Sequence, residues 1–214
     1  MADNKHLYGF RPFASRYASG NLPIVVRTVA TSQDHQDDGS NSIVISVGDP
    51  VKQVSTGGIN VALTDEDVWG IVAWIGPVWD GTRMARRKDF PNQNAWGTTE
   101  ARRPTIGVIP ADAAIWEIDT DDTAAGYDTI AEFTDMIGEN VHHTVPGNTT
   151  LTTADPYIDI SGNATTNTLG WRIEGISPTV ANQDFTGNYV KMLVTVNAYQ
   201  GAGAVANANL IAGV

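Results

Sequence analysis

Two short acidic clusters are the first residues that could do chemistry. The sequence Asp-Thr-Asp-Asp at 119–122 offers the hard oxygen atoms that Ca²⁺ prefers, but the twelve-residue loop with a central Gly and a terminal Glu is missing. The sequence Asp-Glu-Asp at 65–67 could serve acid–base catalysis if burial or pairing separated the pKa values of its carboxyl groups. Both clusters flank short apolar segments, so we interpret both as solvated polar turns.

Histidine and cysteine form no metal or nucleophile pattern. His142 and His143 are adjacent, so on a strand their rings point to opposite faces, and the sequence contains neither a His-x-His nor a His-x-x-x-His spacing. The chain has no Cys, no Gly-x-Ser-x-Gly elbow and no phosphate-binding Gly-x-x-x-x-Gly-Lys-Ser/Thr loop. We therefore predict that the protein is not an enzyme and uses no cofactor and no metal.

Residues 76–104 combine basic and aromatic side chains, among them Trp79, Phe90 and Trp96. This mixture would suit single-stranded nucleic acid, because bases stack on aromatic rings and Arg neutralises phosphates. The net charge of −11 opposes that partner, and the same residue types are enriched in protein interfaces. We therefore predict a long loop that contacts protein and no nucleic-acid partner. Its basic residues are Arg83, Arg86, Arg87, Lys88, Arg102 and Arg103.

Basic and acidic residues are concentrated in two different, adjacent segments of the chain. Residues 83–103 hold six of the 13 Lys and Arg residues, whereas residues 104–171 hold none against eleven Asp and Glu. Between subunits, complementary charged segments steer docking and fix orientation. We therefore expect the acidic region 112–139 to complement the basic loop within an assembly.

Short apolar segments rich in Val, Ile, Thr and aromatic residues predict strands, because Gly, Pro, Asn and Asp clusters separate them. Met192, Val194 and Val196 alternate with Leu193, Thr195 and Asn197, which is typical of a strand with one apolar face and one mixed face. Strands are predicted at 24–29, 42–47, 50–54, 59–62, 68–74, 105–109, 114–118, 158–161, 169–176 and 189–199, with one short helix at 129–137. The predicted fold class is all-β: a β-barrel, β-tulip or jelly-roll-like domain with extended N- and C-terminal arms and a long inserted loop.

The domain prediction has three parts. Residues 1–20 interleave aromatic residues with Arg11 and Arg16, which predicts a docking arm. Residues 21–200 form the β-rich domain with its loop at 76–104, and residues 201–214 form a low-complexity tail of Ala, Gly and Asn. The sequence shows no signal peptide and no apolar stretch of ~20 residues, so we expect synthesis in the cytoplasm and no membrane partner.

Six short strand motifs follow one another along the chain. They are Tyr-Gly-Phe-Arg-Pro at 8–12, Gly-Asp-Pro-Val-Lys at 48–52, Gly-Ile-Val at 70–72, Ile-Trp-Glu-Ile at 115–118, Trp-Arg-Ile-x-Gly-Ile at 171–176 and Val-x-Val-Asn at 194–197. Together they span most of the chain, from Tyr8 to about Gln200. This set resembles the head decoration, or cement, proteins of tailed bacteriophages.

The resemblance implies a protein that coats the outside of an icosahedral capsid. Its expected partners are the major capsid protein and further copies of itself in a homotrimer, and its expected location is the virion. The predicted contact residues are Tyr8, Phe10 and Arg11 in the arm, and Trp96 with the six basic residues of the loop. Two alternatives stay open: another virion structural protein such as the major capsid protein, and a carbohydrate-binding β domain whose aromatic rings form a sugar platform beside two carboxylates.

Overall fold

The computed structural model describes residues 9–29, 45–54, 58–64, 66–79, 84–85, 89–90, 105–121, 127–145, 156–179, 185 and 189–197. These residues form two antiparallel sheets of five and six strands, with two small two-stranded ribbons and one short helix. The strands are β1 (Arg11–Ser15), β2 (Val25–Thr28), β3 (Ile45–Ser46), β4 (Pro50–Gln53), β5 (Ile59–Val61), β6 (Gly70–Ile75), β7 (Val78–Trp79), β8 (Met84–Ala85), β9 (Asp89–Phe90), β10 (Thr105–Pro110), β11 (Ala114–Asp119), β12 (Asn140–Thr144), β13 (Tyr157–Ala164), β14 (Trp171–Ile176) and β15 (Lys191–Val196), and the helix is α1 (Ile130–Asp135). The all-β prediction is confirmed.

The five-stranded sheet has the order β2-β10-β6-β4-β5. Val29, which follows β2, forms a parallel bridge with Ile59 of β5, so the two edge strands meet and the sheet curls around its own core. Ile106 and Val108 of β10 lie in that core with Val72 of β6. The bridge is a single pair, so the described strands do not close into a barrel.

The six-stranded sheet has the order β1-β11-β15-β14-β12-β13. It also curls, because Thr120, just after the second strand β11, bridges to Ile158 of the edge strand β13. Its core contains Trp116 and Trp171, both fully buried. A short 3-10 turn at Ala111–Ala113 carries the chain from β10 of the first sheet directly into β11 of the second.

The predicted strands each overlap a strand of the structure, and the predicted helix is α1. Its N-terminus is fixed by a capping box between Thr129 and Glu132, the arrangement that satisfies free backbone N–H groups at a helix start. Three features were missed: β1 lies inside the expected arm, β12 contains the two adjacent histidines, and the expected loop at 76–104 contains the short strands β7, β8 and β9.

Candidate interaction surface

Most of the predicted contact residues fall outside the described part of the chain. These are Tyr8, Arg83, Arg86, Arg87, Lys88, Trp96, Arg102 and Arg103. The remaining two, Phe10 and Arg11, lie at the start of β1, and the structure gives each a place within the fold.

Phe10 is a core residue of the described fold, and its role as a contact residue between subunits stays a prediction. Its side chain is 2% exposed, its ring stacks on Trp171 with the centroids 4.3 Å apart, and it meets Trp116 edge to face at 6.5 Å. The preceding Gly9 makes this entry possible, since it has a φ of 56° and a Cβ there would lie 2.5 Å from Cγ of Pro156. The sequence Gly-Phe therefore turns an aromatic side chain into the six-stranded sheet's core.

Arg11 belongs to a row of charged groups on the outer face of β11. It is the cross-strand partner of Glu117 and forms an ion pair with it, while the Ser177 hydroxyl donates to the other carboxylate oxygen. Two residues along the same strand, Asp119 is opposite Lys191 of β15, with Lys191 Nζ 3.4 Å from Asp119 Oδ1.

The charged residues of this row form two ion pairs, Arg11 with Glu117 and Lys191 with Asp119. Glu117, Asp119 and Lys191 are all buried, and each buried charge has an oppositely charged neighbour, which is the condition under which burial of ions is tolerated. The prediction that Asp119 lies in a solvated turn was therefore wrong: it ends a strand in a buried ion pair. Alternation along β11 puts the two acids on one face, but the sequence does not indicate that Arg11 and Lys191 lie opposite them.

His143 connects the two sheets by hydrogen bonds. Its Nδ1 accepts a hydrogen bond from the Trp171 indole N–H at 3.2 Å, so Nε2 carries the proton and donates to the carbonyl oxygen of Ala62 at 2.9 Å. Ala62 directly follows β5 of the five-stranded sheet. Among the described residues no group of three His, Asp or Glu side chains could hold a metal ion.

The other acidic cluster is a polar turn, as predicted for its described residues. Glu66 pairs with Lys52 of β4 through one carboxylate oxygen and accepts the backbone N–H of Leu63 at 2.7 Å through the other. The backbone N–H of Glu66 donates back to the Leu63 carbonyl at 3.1 Å. This carboxylate closes the turn.

An apolar stripe crosses the outer face of the five-stranded sheet. Val26 of β2 is opposite Gly107 of β10, and Gly107 is opposite Trp74 of β6, so the three residues share one face. Val26 is 51% exposed and Trp74 is 37% exposed, and Ile24 continues the line beyond the start of β2 as a further exposed side chain. We call Ile24, Val26, Gly107 and Trp74 the outer stripe.

Glycine at 107 is what allows the Trp74 ring to lie flat on the sheet. A Cβ at this position would lie 2.1 Å from Trp74 Nε1, far inside van der Waals contact. Three other tryptophans, Trp69, Trp116 and Trp171, are buried. Trp74 is the exception, and sequence reasoning missed it because its strand is otherwise a core strand.

The part of the chain that the structure describes contains no helix long and apolar enough to cross a membrane. Further exposed aromatic side chains lie near the outer stripe in the sequence, at Phe13 and Tyr17.

No protein-family model, no curated protein and no solved structure matches this chain.

Proposed function

We propose that this chain is a structural protein of a tailed-phage head, which binds the outer surface of the capsid and bridges major capsid subunits as a homotrimer. The observation that carries the proposal is the outer stripe. A row of apolar side chains across an exposed sheet face, two of them half-exposed and one a tryptophan, is what a contact with another protein covers.

The outer stripe is small, so strong binding to the capsid would require several copies of the stripe to bind at once. Completing the burial of one half-exposed Val or Trp side chain contributes about 1 kcal/mol, so a single copy binds weakly through this face. A trimer that engages three capsid subunits at once turns the second and third contacts into intramolecular events, which raises the overall affinity by orders of magnitude. Stabilisation of the shell then needs no chemical step.

The charged residues fit the same function. Arg11, Glu117, Asp119 and Lys191 pair with one another within the chain, so we do not assign these four charges to the capsid contact. The basic loop at 76–104 remains the predicted second contact region, with the acidic region 112–139 as its proposed complement.

The test is binding to purified heads that lack the protein. Val26→Lys puts a charge at the centre of the outer stripe, and we expect it to weaken head binding at least about tenfold, or ~1.4 kcal/mol. The matched control is Ile130→Lys on α1, where the side chain is 59% exposed and lies on a different element. Equal binding of both variants, or no retention of the unaltered protein on heads, contradicts the proposal.

A further inference from the structure

We propose that β1 is exchanged between copies of this chain, so that residues 9–15 of one copy complete the six-stranded sheet of a second copy. The inference rests on the self-association in the proposed function and names the segment that links the subunits. It does not depend on which surface of the assembly meets the capsid.

β1 can leave its sheet without disturbing any other strand pairing. It is the edge strand of the sheet order and pairs with β11 alone. Its docking contacts include the Phe10 ring in the core, the Phe10 N–H bonded to the Gly48 carbonyl at 3.0 Å, and the ion pair of Arg11 with Glu117. Every copy presents the same receiving groups, so an exchanged strand makes the same contacts as an internal one, which is the condition for a strand swap.

The connection between β1 and β2 is long enough to act as the hinge. The nine residues 16–24 reach about 30 Å when extended, which spans the distance to a neighbouring domain. Residues 16–21 are exposed, and the hydrogen bonds of Tyr17, Asn21 and their neighbours are mostly local, such as Gly20 N–H to the Tyr17 carbonyl at 2.9 Å. Leu22 is the hinge residue that packs against the core.

Exposed apolar side chains identify the occupant as a second copy. Phe13 is 45% exposed and Tyr17 is 48% exposed, and both lie within β1 and the hinge, outside the outer stripe. With an internal strand they face water. In an exchanged assembly the hinges of adjacent copies run beside one another, so the same side chains are covered by the equivalent segment of the neighbour.

Disulfide trapping tests the exchange cleanly, because the chain has no Cys of its own. Ala14 and Ile115 are direct cross-strand partners and both are partly accessible. Opposed residues of this kind have Cβ atoms ~4.5–5.5 Å apart, close to disulfide geometry. Ala14→Cys and Ile115→Cys are made as separate variants, refolded together and oxidised. Exchange predicts a covalent heterodimer in non-reducing gels. A mixture that yields none overturns the proposal.

A control pair and a second cross-strand pair show whether a cross-link, or its absence, reports on the exchange of β1. Ala14→Cys mixed with Glu174→Cys, an exposed residue on β14, is the control that should give no heterodimer. If the first pair does not fold, Ser15→Cys with Ala114→Cys uses the neighbouring register pair. In a double variant, exchange predicts covalent oligomers, whereas an internal strand predicts only a monomer with an internal disulfide.

Head binding of the same variants separates the two proposals. Internal disulfides together with normal retention on heads leave the capsid function standing and exclude the exchange. Intermolecular disulfides without retention on heads support the exchange and contradict the capsid function.

Discussion

Truncation of the core aromatic that precedes β1 should destabilise the protein far more than its position near the N-terminus suggests. Phe10→Ala removes a ring that is 2% exposed and stacked on Trp171, and it leaves a cavity beside Trp116. Core Phe→Ala changes cost about 3–5 kcal/mol through lost transfer free energy and the residual cavity. This is a large share of the ~5–15 kcal/mol that typically separates folded from unfolded states.

The assay is urea unfolding at a fixed protein concentration, followed by tryptophan fluorescence. With an m-value of about 2–3 kcal/mol/M, a loss of about 4 kcal/mol lowers the midpoint by about 1.5–2 M. Phe13→Ala is the matched control, since the side chain belongs to the same strand but is 45% exposed at a bulge, and it should cost less than about 1 kcal/mol. Equal midpoints for the two variants would refute the docking of β1.

Three more predictions follow from individual contacts. Lys191→Met leaves the Asp119 carboxylate buried without its cation and should cost about 3–5 kcal/mol in urea unfolding, and adding Asp119→Asn should restore a large part of the loss. The pKa of Glu132 lies below its ordinary value of 4.5, chiefly because the N-cap hydroxyl of α1 hydrogen-bonds its carboxylate, so the cap stabilises the helix above that pH and is lost as the pH falls through the lower folded-state pKa. Glu132→Gln should remove this pH dependence from the amide protection factors of α1, which are corrected for intrinsic exchange, and a persistent dependence of those factors would contradict the assignment. Gly107→Ala should push the Trp74 indole off the sheet, which weakens head binding while the free energy of unfolding changes by less than about 1 kcal/mol.

The sequence predicts elements well where a local pattern is strong. Met192 and Val194 lie two residues apart on the apolar face of β15, and both side chains are buried in the core, as that period predicts. Thr129 followed by an acidic residue three positions later marks the start of α1. β1 was missed because a bulge between Pro12 and Ala14 breaks the two-residue period, and a proline is unusual inside a strand.

The candidate surface was harder to predict because it depends on pairings between distant parts of the chain. Val26, Gly107 and Trp74 become a stripe only through the order β2-β10-β6 and its register, which no local pattern specifies. The buried ion pair of Asp119 depends in the same way on the pairing of β11 with β15. The aromatic residues near the N-terminus predict a segment that docks, but composition does not distinguish a core ring such as Phe10 from an exposed one.

The strand exchange and the capsid contact use segments on either side of the hinge, residues 16–24. Variants in the two segments can therefore test them separately. β1 lies before residues 16–24 and would bind a neighbouring copy, whereas β2 lies after them and carries part of the outer stripe. Val26→Lys should therefore abolish head binding and leave the Ala14–Ile115 cross-link intact, because the substituted side chain is on the other sheet. Phe10→Ala should reduce the cross-link, since the exchanged strand loses its core anchor, and should weaken head binding only through lost avidity. If both variants reduce both readouts equally, then the strand and the stripe act as one surface and their separate roles are wrong.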